Sequence, residues 1–75
     1  MENIIKLLEE SKVKMNNIAL FITVMDSLDN LSTPYKKLWI EDYTYAIQKN
    51  SVELLDKLIG KIKERNNIEN PIFFF

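Results

Sequence analysis

The sequence predicts an all-α fold: a three-helix bundle with a long first helix, an antiparallel hairpin of helices two and three, and an extended apolar C-terminal tail. Glycine and proline are nearly absent, with one glycine and two prolines among 75 residues. A β-rich domain of this size would need several turn glycines, so helix is favoured. Apolar residues also recur every three or four positions, as they do along one face of a helix.

Composition predicts a single helical domain with a small core and excludes several function classes. The chain has no cysteine and no histidine, which removes disulfides, thiol nucleophiles, zinc sites and the usual general base. A net charge of −1 lacks the basic excess of nucleic-acid-coating proteins. The longest mainly apolar run, residues 18–25, is far shorter than the ~20 residues that span a bilayer, and the acidic N-terminus is unlike a secretory leader. We therefore expect a soluble, cytoplasmic protein without a cofactor.

The first helix is predicted over residues 3–30. Its apolar residues are spaced by three or four and are Ile4, Leu8, Met15, Ile18, Ile22 and Met25, with Ser11 as the polar interruption. Residues 18–25 are apolar on all sides except at Thr23, so this half needs enclosure or a partner. A straight helix of this length would extend for about 42 Å, twice the length of the other two. It therefore either breaks near residues 15–17 or projects beyond the hairpin.

A projecting apolar half-helix would need a cover, and the simplest cover is a second copy of the chain. The residues expected to pair between chains are Leu20, Phe21, Val24 and Met25. This part of the sequence therefore predicts a homo-oligomer that dimerises through helix one.

Helix two is predicted over residues 34–49 and helix three over residues 51–65. Pro34 suits the first position of a helix, and Asn50 with Glu53 has the spacing of a capping box that begins the next one. The apolar face of helix two consists of Tyr35, Trp39, Tyr43, Ala46 and Ile47. The apolar stripe of helix three consists of Val52, Leu55, Leu58, Ile59 and Ile62. Because their connection is short, these helices are predicted to form an antiparallel hairpin.

The C-terminal tail, residues 66–75, is predicted to be extended because Pro71 disfavours helix at Asn70. Its apolar residues are Ile72, Phe73, Phe74 and Phe75. If exposed, they would form an apolar patch with no benefit for solubility. Three alternatives stay open: the tail completes the chain's own core, packs on a second subunit or a target protein, or dips into a membrane surface.

No catalytic or metal site is predicted. Glu41 and Asp42 are adjacent and point about 100° apart on a helix, so they do not form a catalytic pair. Asp26 and Asp29 are spaced for a cation, but they lack the glycine and terminal glutamate of a calcium loop and favour helix termination. Within residues 57–65, basic residues are interspersed with acidic ones, as on a solvated helix end. Nucleic-acid binding through them is a minor alternative.

Aromatic residues concentrate in helix two, where they favour a protein contact. Core filling is the favoured interpretation for Trp39 and Tyr43, whereas Tyr45 lies outside the apolar face and suits an exposed contact. The predicted protein-binding residues are Tyr35, Trp39, Tyr45, Phe73, Phe74 and Phe75.

The segment WIEDYTYAIQKNSVELLDKLIGKIKER, residues 39–65, resembles the helical hairpin of Sda, a small inhibitor of sporulation histidine kinases. The shared features are Ile40, Glu41, Tyr43, Ala46, Asn50 and a basic second helix rich in Leu and Ile. A small helical bundle with an aromatic C-terminal tail is also similar to the pediocin-type bacteriocin immunity proteins. Both resemblances imply a small helical protein that binds and restrains another protein, and neither assigns a role to a particular residue.

The leading prediction is therefore a non-enzymatic protein that binds a partner protein of unknown identity and inhibits or regulates it. The first alternative is a self-assembling scaffold that dimerises through helix one. The second alternative is a helical nucleic-acid-binding protein. Membrane binding is not expected.

Overall fold

The computed structural model describes residues 2–69, which form four helices and no strand: α1 (Glu2–Val13), α2 (Ile18–Asp29), α3 (Lys36–Gln48) and α4 (Val52–Glu69). Each helix packs against two others, in the cyclic order α1, α2, α3, α4 and back to α1. The connections are short, which makes successive helices antiparallel. The all-α class is confirmed, and the predicted three helices are corrected to four.

The predicted single helix over residues 3–30 breaks at residues 14–17, and the alternative of a break near residues 15–17 is the one observed. Asn17 has an extended backbone, with φ −86° and ψ 108°, and its side-chain oxygen accepts a hydrogen bond of 3.0 Å from the Leu20 N–H. This is an N-cap, which satisfies a backbone donor that has no partner inside the helix. The break folds α2 back along α1, so the apolar half-helix does not project.

The break also changes which residues of α2 are buried. A continuous helix would turn Ile18, Ile22 and Met25 inward, but Ile18 is 74% exposed and Ile22 is 60% exposed. The buried residues of α2 are instead Leu20, Val24 and Leu28. They are four residues apart and form one face of a helix that starts afresh at Ile18. The predicted stripe is therefore correct in α1 and rotated in α2.

The turn between α3 and α4 differs from the predicted capping box. Asn50 has a positive φ of 51°, and the Ser51 and Asn50 N–H groups donate to the carbonyls of Ala46 and Ile47, each at 3.0 Å. These bonds form a Schellman motif that ends α3. Ser51 caps α4, since its hydroxyl accepts a hydrogen bond of 3.1 Å from the Leu54 N–H. The motif turns the chain sharply, so α4 runs back along α3.

The ends of the other helices also move from their predicted positions. Helix α3 begins at Lys36 rather than at residue 34, and Pro34 lies in the preceding turn. Helix α4 continues to Glu69, so the first four residues of the predicted tail are helical. The remainder of that tail, with Phe73, Phe74 and Phe75, lies outside the described residues.

All four helices contribute to one apolar core. Its buried members are Ile4, Leu8, Leu20, Val24, Leu28, Trp39, Tyr43, Ala46, Leu55, Leu58, Ile59 and Ile62. Ser11 is a buried polar residue within this core, and its hydroxyl shares a 3.0 Å hydrogen bond with the hydroxyl of Tyr43. The polar interruption of the α1 stripe is therefore satisfied across the bundle, by the diagonally opposite helix.

Gly60 gives a direct test of α4 packing. A Cβ added at Gly60 would meet no atom within 4 Å among the described residues, so Gly60→Ala introduces no clash there. We expect this substitution to raise the free energy of unfolding by about 0.5–1 kcal/mol, because alanine loses less backbone entropy in a helix. Urea denaturation followed by circular dichroism measures the change. A destabilised variant would contradict this expectation and would indicate a contact on Gly60 from outside residues 2–69.

Candidate protein-binding groove

The predicted aromatic contact residues differ in how far the structure buries them. Trp39 is only 3% exposed and belongs to the core, as does Tyr43, and core filling is the interpretation favoured for both. Tyr45 is 52% exposed. Leu38, which was not predicted as a contact residue, is 51% exposed. Leu38 and Tyr45 are seven residues apart, so they lie on the same face of α3. Trp39 thus belongs mainly to the core, and Leu38 joins Tyr45 as an exposed apolar side chain.

A groove between α3 and α4 contains two depressions beside these side chains. The first depression is lined by Tyr35, Leu38, Trp39, Lys61, Glu64 and Arg65. The second depression is lined by Asp42, Tyr45, Leu54, Lys57, Leu58 and Lys61. Lys61 lines both, and its Nζ lies 3.1 Å from Oδ2 of Asp42. This ion pair across the groove therefore divides it into two parts. We call the whole feature the α3–α4 groove.

A stack of three side chains forms the wall of the first depression. The ring of Tyr35 stacks on Trp39 with 6.1 Å between ring centroids. The guanidinium carbon of Arg65 lies 4.0 Å from the centroid of the Tyr35 ring, which is a cation–π contact. Antiparallel packing of α3 and α4 brings the start of one beside the end of the other and so produces this stack. Tyr35 therefore contacts both Trp39 and Arg65, and it is partly buried at the edge of the core.

The second depression also has a cation–π pair at its edge. Nζ of Lys49 lies 5.5 Å from the centroid of the Tyr45 ring. Tyrosine and arginine are among the residue types that carry binding energy at protein interfaces, and Tyr35, Tyr45 and Arg65 line the two depressions. The α3–α4 groove therefore combines apolar anchors with polar groups of both signs.

The predicted oligomerisation residues of helix one also divide into buried and partly buried ones. Leu20 and Val24 lie inside the chain's own core, with Val24 fully buried, so the exposed surface does not include them. Phe21 and Met25 are partly buried at its edge, and Ile18 and Ile22 take the exposed positions. The physical cause is the new helix start at Asn17, which rotates the outer face. We call Ile18, Phe21, Ile22 and Met25 the α2 surface.

The structure also places the acidic and basic residues that the sequence offers for metal and nucleic-acid binding. Among residues 2–69, no three acidic residues lie close enough together to hold a metal ion. The backbone carbonyl of Asp29 instead accepts a 2.7 Å hydrogen bond from Nζ of Lys36, which closes the α2–α3 turn. Nζ of Lys63 lies 4.0 Å from Oε2 of Glu9, so it has an acidic neighbour on α1. None of the helices in this part of the chain is long and apolar enough to cross a bilayer.

Comparison of the chain with protein-family models, with curated proteins and with solved structures found no match. The resemblance of residues 39–65 to the Sda hairpin, and that of the bundle to the immunity proteins, therefore stay predictions. The functional proposal rests on the geometry of the groove.

Proposed function

We propose that this chain is a non-enzymatic helical protein that binds a partner protein through the α3–α4 groove and thereby inhibits or regulates it. The observation that carries the proposal is the pair of half-exposed apolar side chains, Leu38 and Tyr45, on one face of α3 beside the two depressions. Side chains of this size that are half exposed bury further area when a partner covers them.

The spacing of the groove limits the shape of the segment that it accepts. Seven residues of helix separate Leu38 from Tyr45, which corresponds to about 10 Å along the axis. A partner helix with apolar residues at positions i and i+7 has the same spacing and would place one residue in each depression. Helices that bind in this way expose apolar residues at i, i+3, i+4 and i+7. We therefore propose an amphipathic helix of the partner as the bound segment.

The charges of the groove suit the polar edges of such a helix. Lys57 and Arg65 lie along α4, and Glu64 lies between them in sequence. Long cationic side chains cover apolar surface with their stems and keep their charges in water. The stack of Arg65, Tyr35 and Trp39 is already ordered in the free chain. Less side-chain entropy is therefore lost on binding than for mobile side chains. Inhibition follows if the bound helix is one that the partner needs for its own activity.

Two substitutions in the groove test the proposal. Leu38→Glu places a charge in the first depression, and Tyr45→Ser removes the ring from the second. Each is expected to weaken partner binding by ~30-fold or more, the effect of losing a contact of about 2 kcal/mol. Each is expected to change stability by less than ~0.5 kcal/mol, because both side chains are already half exposed.

The measurement is quantitative capture from a lysate of the native host, followed by titration of the purified chain with the protein recovered. Val13→Glu is the matched control, since Val13 is 81% exposed on α1 and lines neither depression. We expect wild type and the control to recover the same stoichiometric partner, and both groove variants to lose it. Recovery of no stoichiometric partner, or equal recovery by Leu38→Glu, would overturn the proposal.

A further inference from the structure

The α2 surface is a second apolar feature, on a different side of the bundle from the groove. Ile18 and Ile22 are the most exposed large apolar residues of α2. Shallow depressions extend the surface on both sides, toward Met15 and Ile47 at one end and toward Ile40 at the other. Helix α4 does not pack against α2, so this surface and the α3–α4 groove can be occupied at the same time. A continuous apolar helix face of this kind is a mark of an interaction site.

The charges around the α2 surface differ between its two ends. Asp26 and Asp29 lie in the last turn of α2, and the ammonium of Lys36, 2.7 Å from the Asp29 carbonyl, offsets one of their two negative charges. Their carboxylates face the negative end of the helix dipole, which is unfavourable. Lys14 lies just before the other end, where the first turn of α2 holds no acidic residue. The helix therefore carries an acidic C-terminal end and a positive N-terminal end, with apolar residues between them.

From this pattern we infer that the α2 surface pairs with the α2 surface of a second copy of the chain, with the two helices antiparallel about a twofold axis. The arrangement brings the acidic end of each helix to the positive end of the other. It also covers the apolar residues of one copy with those of its partner. Such a contact is self-complementary, as twofold interfaces must be. It goes beyond the proposed function, because it uses a separate surface and leaves the groove free.

One register pairs the whole α2 surface with itself, with the twofold axis between residues 21 and 22. Residue numbers that face each other across the axis then add up to 43. Within α2 and its N-cap, the facing pairs are Ile18 with Met25, Phe21 with Ile22, and Asn17 with Asp26. The antiparallel arrangement also brings the connection that holds Lys14 toward the end of the partner helix that holds Asp29. A shift of the axis to residue 22 would instead place Ile18 opposite Asp26, which buries a carboxylate against an apolar side chain. The position of Asp26 therefore favours this register over that shift.

Sedimentation equilibrium over a range of concentrations tests the pairing. We expect wild type to form a dimer and Ile22→Glu to weaken it by ~100-fold or more, because a twofold axis places two buried charges in one interface. Ile22 is 60% exposed, so this variant is expected to fold, which circular dichroism verifies. Val52→Glu, an exposed apolar position on α4, is the control and should dimerise as wild type does.

Charge exchange tests the antiparallel orientation of the two helices. Lys14→Glu and Asp29→Lys are each expected to weaken the dimer by roughly 3–10-fold, and the double variant is expected to recover most of the loss. Additive weakening in the double variant would show that the end with Lys14 does not meet the end with Asp29, and would overturn the antiparallel arrangement.

The other occupants of the α2 surface give different results in the same experiments. A wild-type chain that stays monomeric at all concentrations overturns the pairing. If the chain associates only when the residues after Asn70 are removed, that C-terminal segment is the occupant of the α2 surface in the full chain. If it recovers a host protein that Ile22→Glu loses, the surface belongs to a foreign partner. Leu38→Glu should dimerise normally, so failure of the pairing and failure of the proposed function are distinguishable.

Discussion

Replacement of Tyr43 by alanine is expected to lower the free energy of unfolding by about 3–5 kcal/mol. Stability of a small domain is itself of this order, so much of the population should unfold. Tyr43 is buried at the centre of the bundle. Its ring stacks on Phe21 of α2 with 5.6 Å between centroids, and its hydroxyl reaches Ser11 of α1. The substitution therefore removes one side chain that connects three helices.

Tyr43→Phe separates the ring from the hydroxyl. It keeps the stacking but leaves the buried Ser11 hydroxyl without its partner, which is expected to cost about 1–2 kcal/mol. Ser11→Ala, with Tyr43 intact, should cost a similar amount. The double variant removes both polar groups and should be more stable than the sum of the single losses predicts. Urea denaturation of the four chains measures this cycle. Strict additivity would show that the 3.0 Å hydrogen bond contributes nothing to stability.

The ionisation of Tyr43 provides a second measurement of the same contact. Burial raises the pKa of the Tyr43 hydroxyl, and the hydrogen bond to Ser11 opposes this shift to a smaller extent. A pKa raised in the folded chain adds stability below the unfolded tyrosine pKa of about 10, and this stability is lost as the pH rises through the folded value. The advantage of wild type over Tyr43→Phe should therefore be constant near neutral pH and shrink above about pH 10. Tyr35 and Tyr45 are present in both chains and cancel in the comparison.

The sequence predicts the helical class, the α3–α4 hairpin and most of its core, because each stripe there lies within one uninterrupted helix. It misplaces α2 because Met15, Ile18, Ile22 and Met25 continue the spacing of α1 by coincidence. A connection at residues 14–17 resets the helical phase, and periodicity measured across it has no meaning. The local signal for the new helix start is its cap: Asn17 stands directly before an apolar run, as a helix start requires.

The site is harder to predict than the core, since exposure depends on which helices are neighbours. Tyr45 was expected to be exposed, and the structure exposes it. Leu38 falls outside the apolar stripe of α3, where a lone leucine is ordinary, so the sequence pattern does not mark it as a contact residue. Its significance comes from α4, whose Lys61 and Arg65 complete a depression beside it. That neighbour relation comes from the Schellman turn, and no local pattern around Leu38 encodes it.

Trp39 and Leu38 provide the second large expected effect, because adjacent residues on a helix point about 100° apart. Trp39→Ala is expected to lower the free energy of unfolding by about 3–5 kcal/mol, since it removes a buried indole. Leu38→Ala should change it by less than ~0.5 kcal/mol, since that side chain is already half in water. Urea denaturation followed by far-ultraviolet circular dichroism compares the two without depending on tryptophan fluorescence.

The same pair of variants separates stability from binding. Trp39 lines the first depression and supports Tyr35, on which Arg65 stacks, so Trp39→Ala should both enlarge that depression and loosen the stack. Trp39→Phe keeps an aromatic ring under Tyr35 and should retain part of both stability and binding. Leu38→Ala should lose binding at nearly full stability. If Leu38→Ala instead destabilises the chain more than Trp39→Ala does, α3 must be rotated about its axis so that Leu38 faces the core. The α3–α4 groove would then not exist in this form.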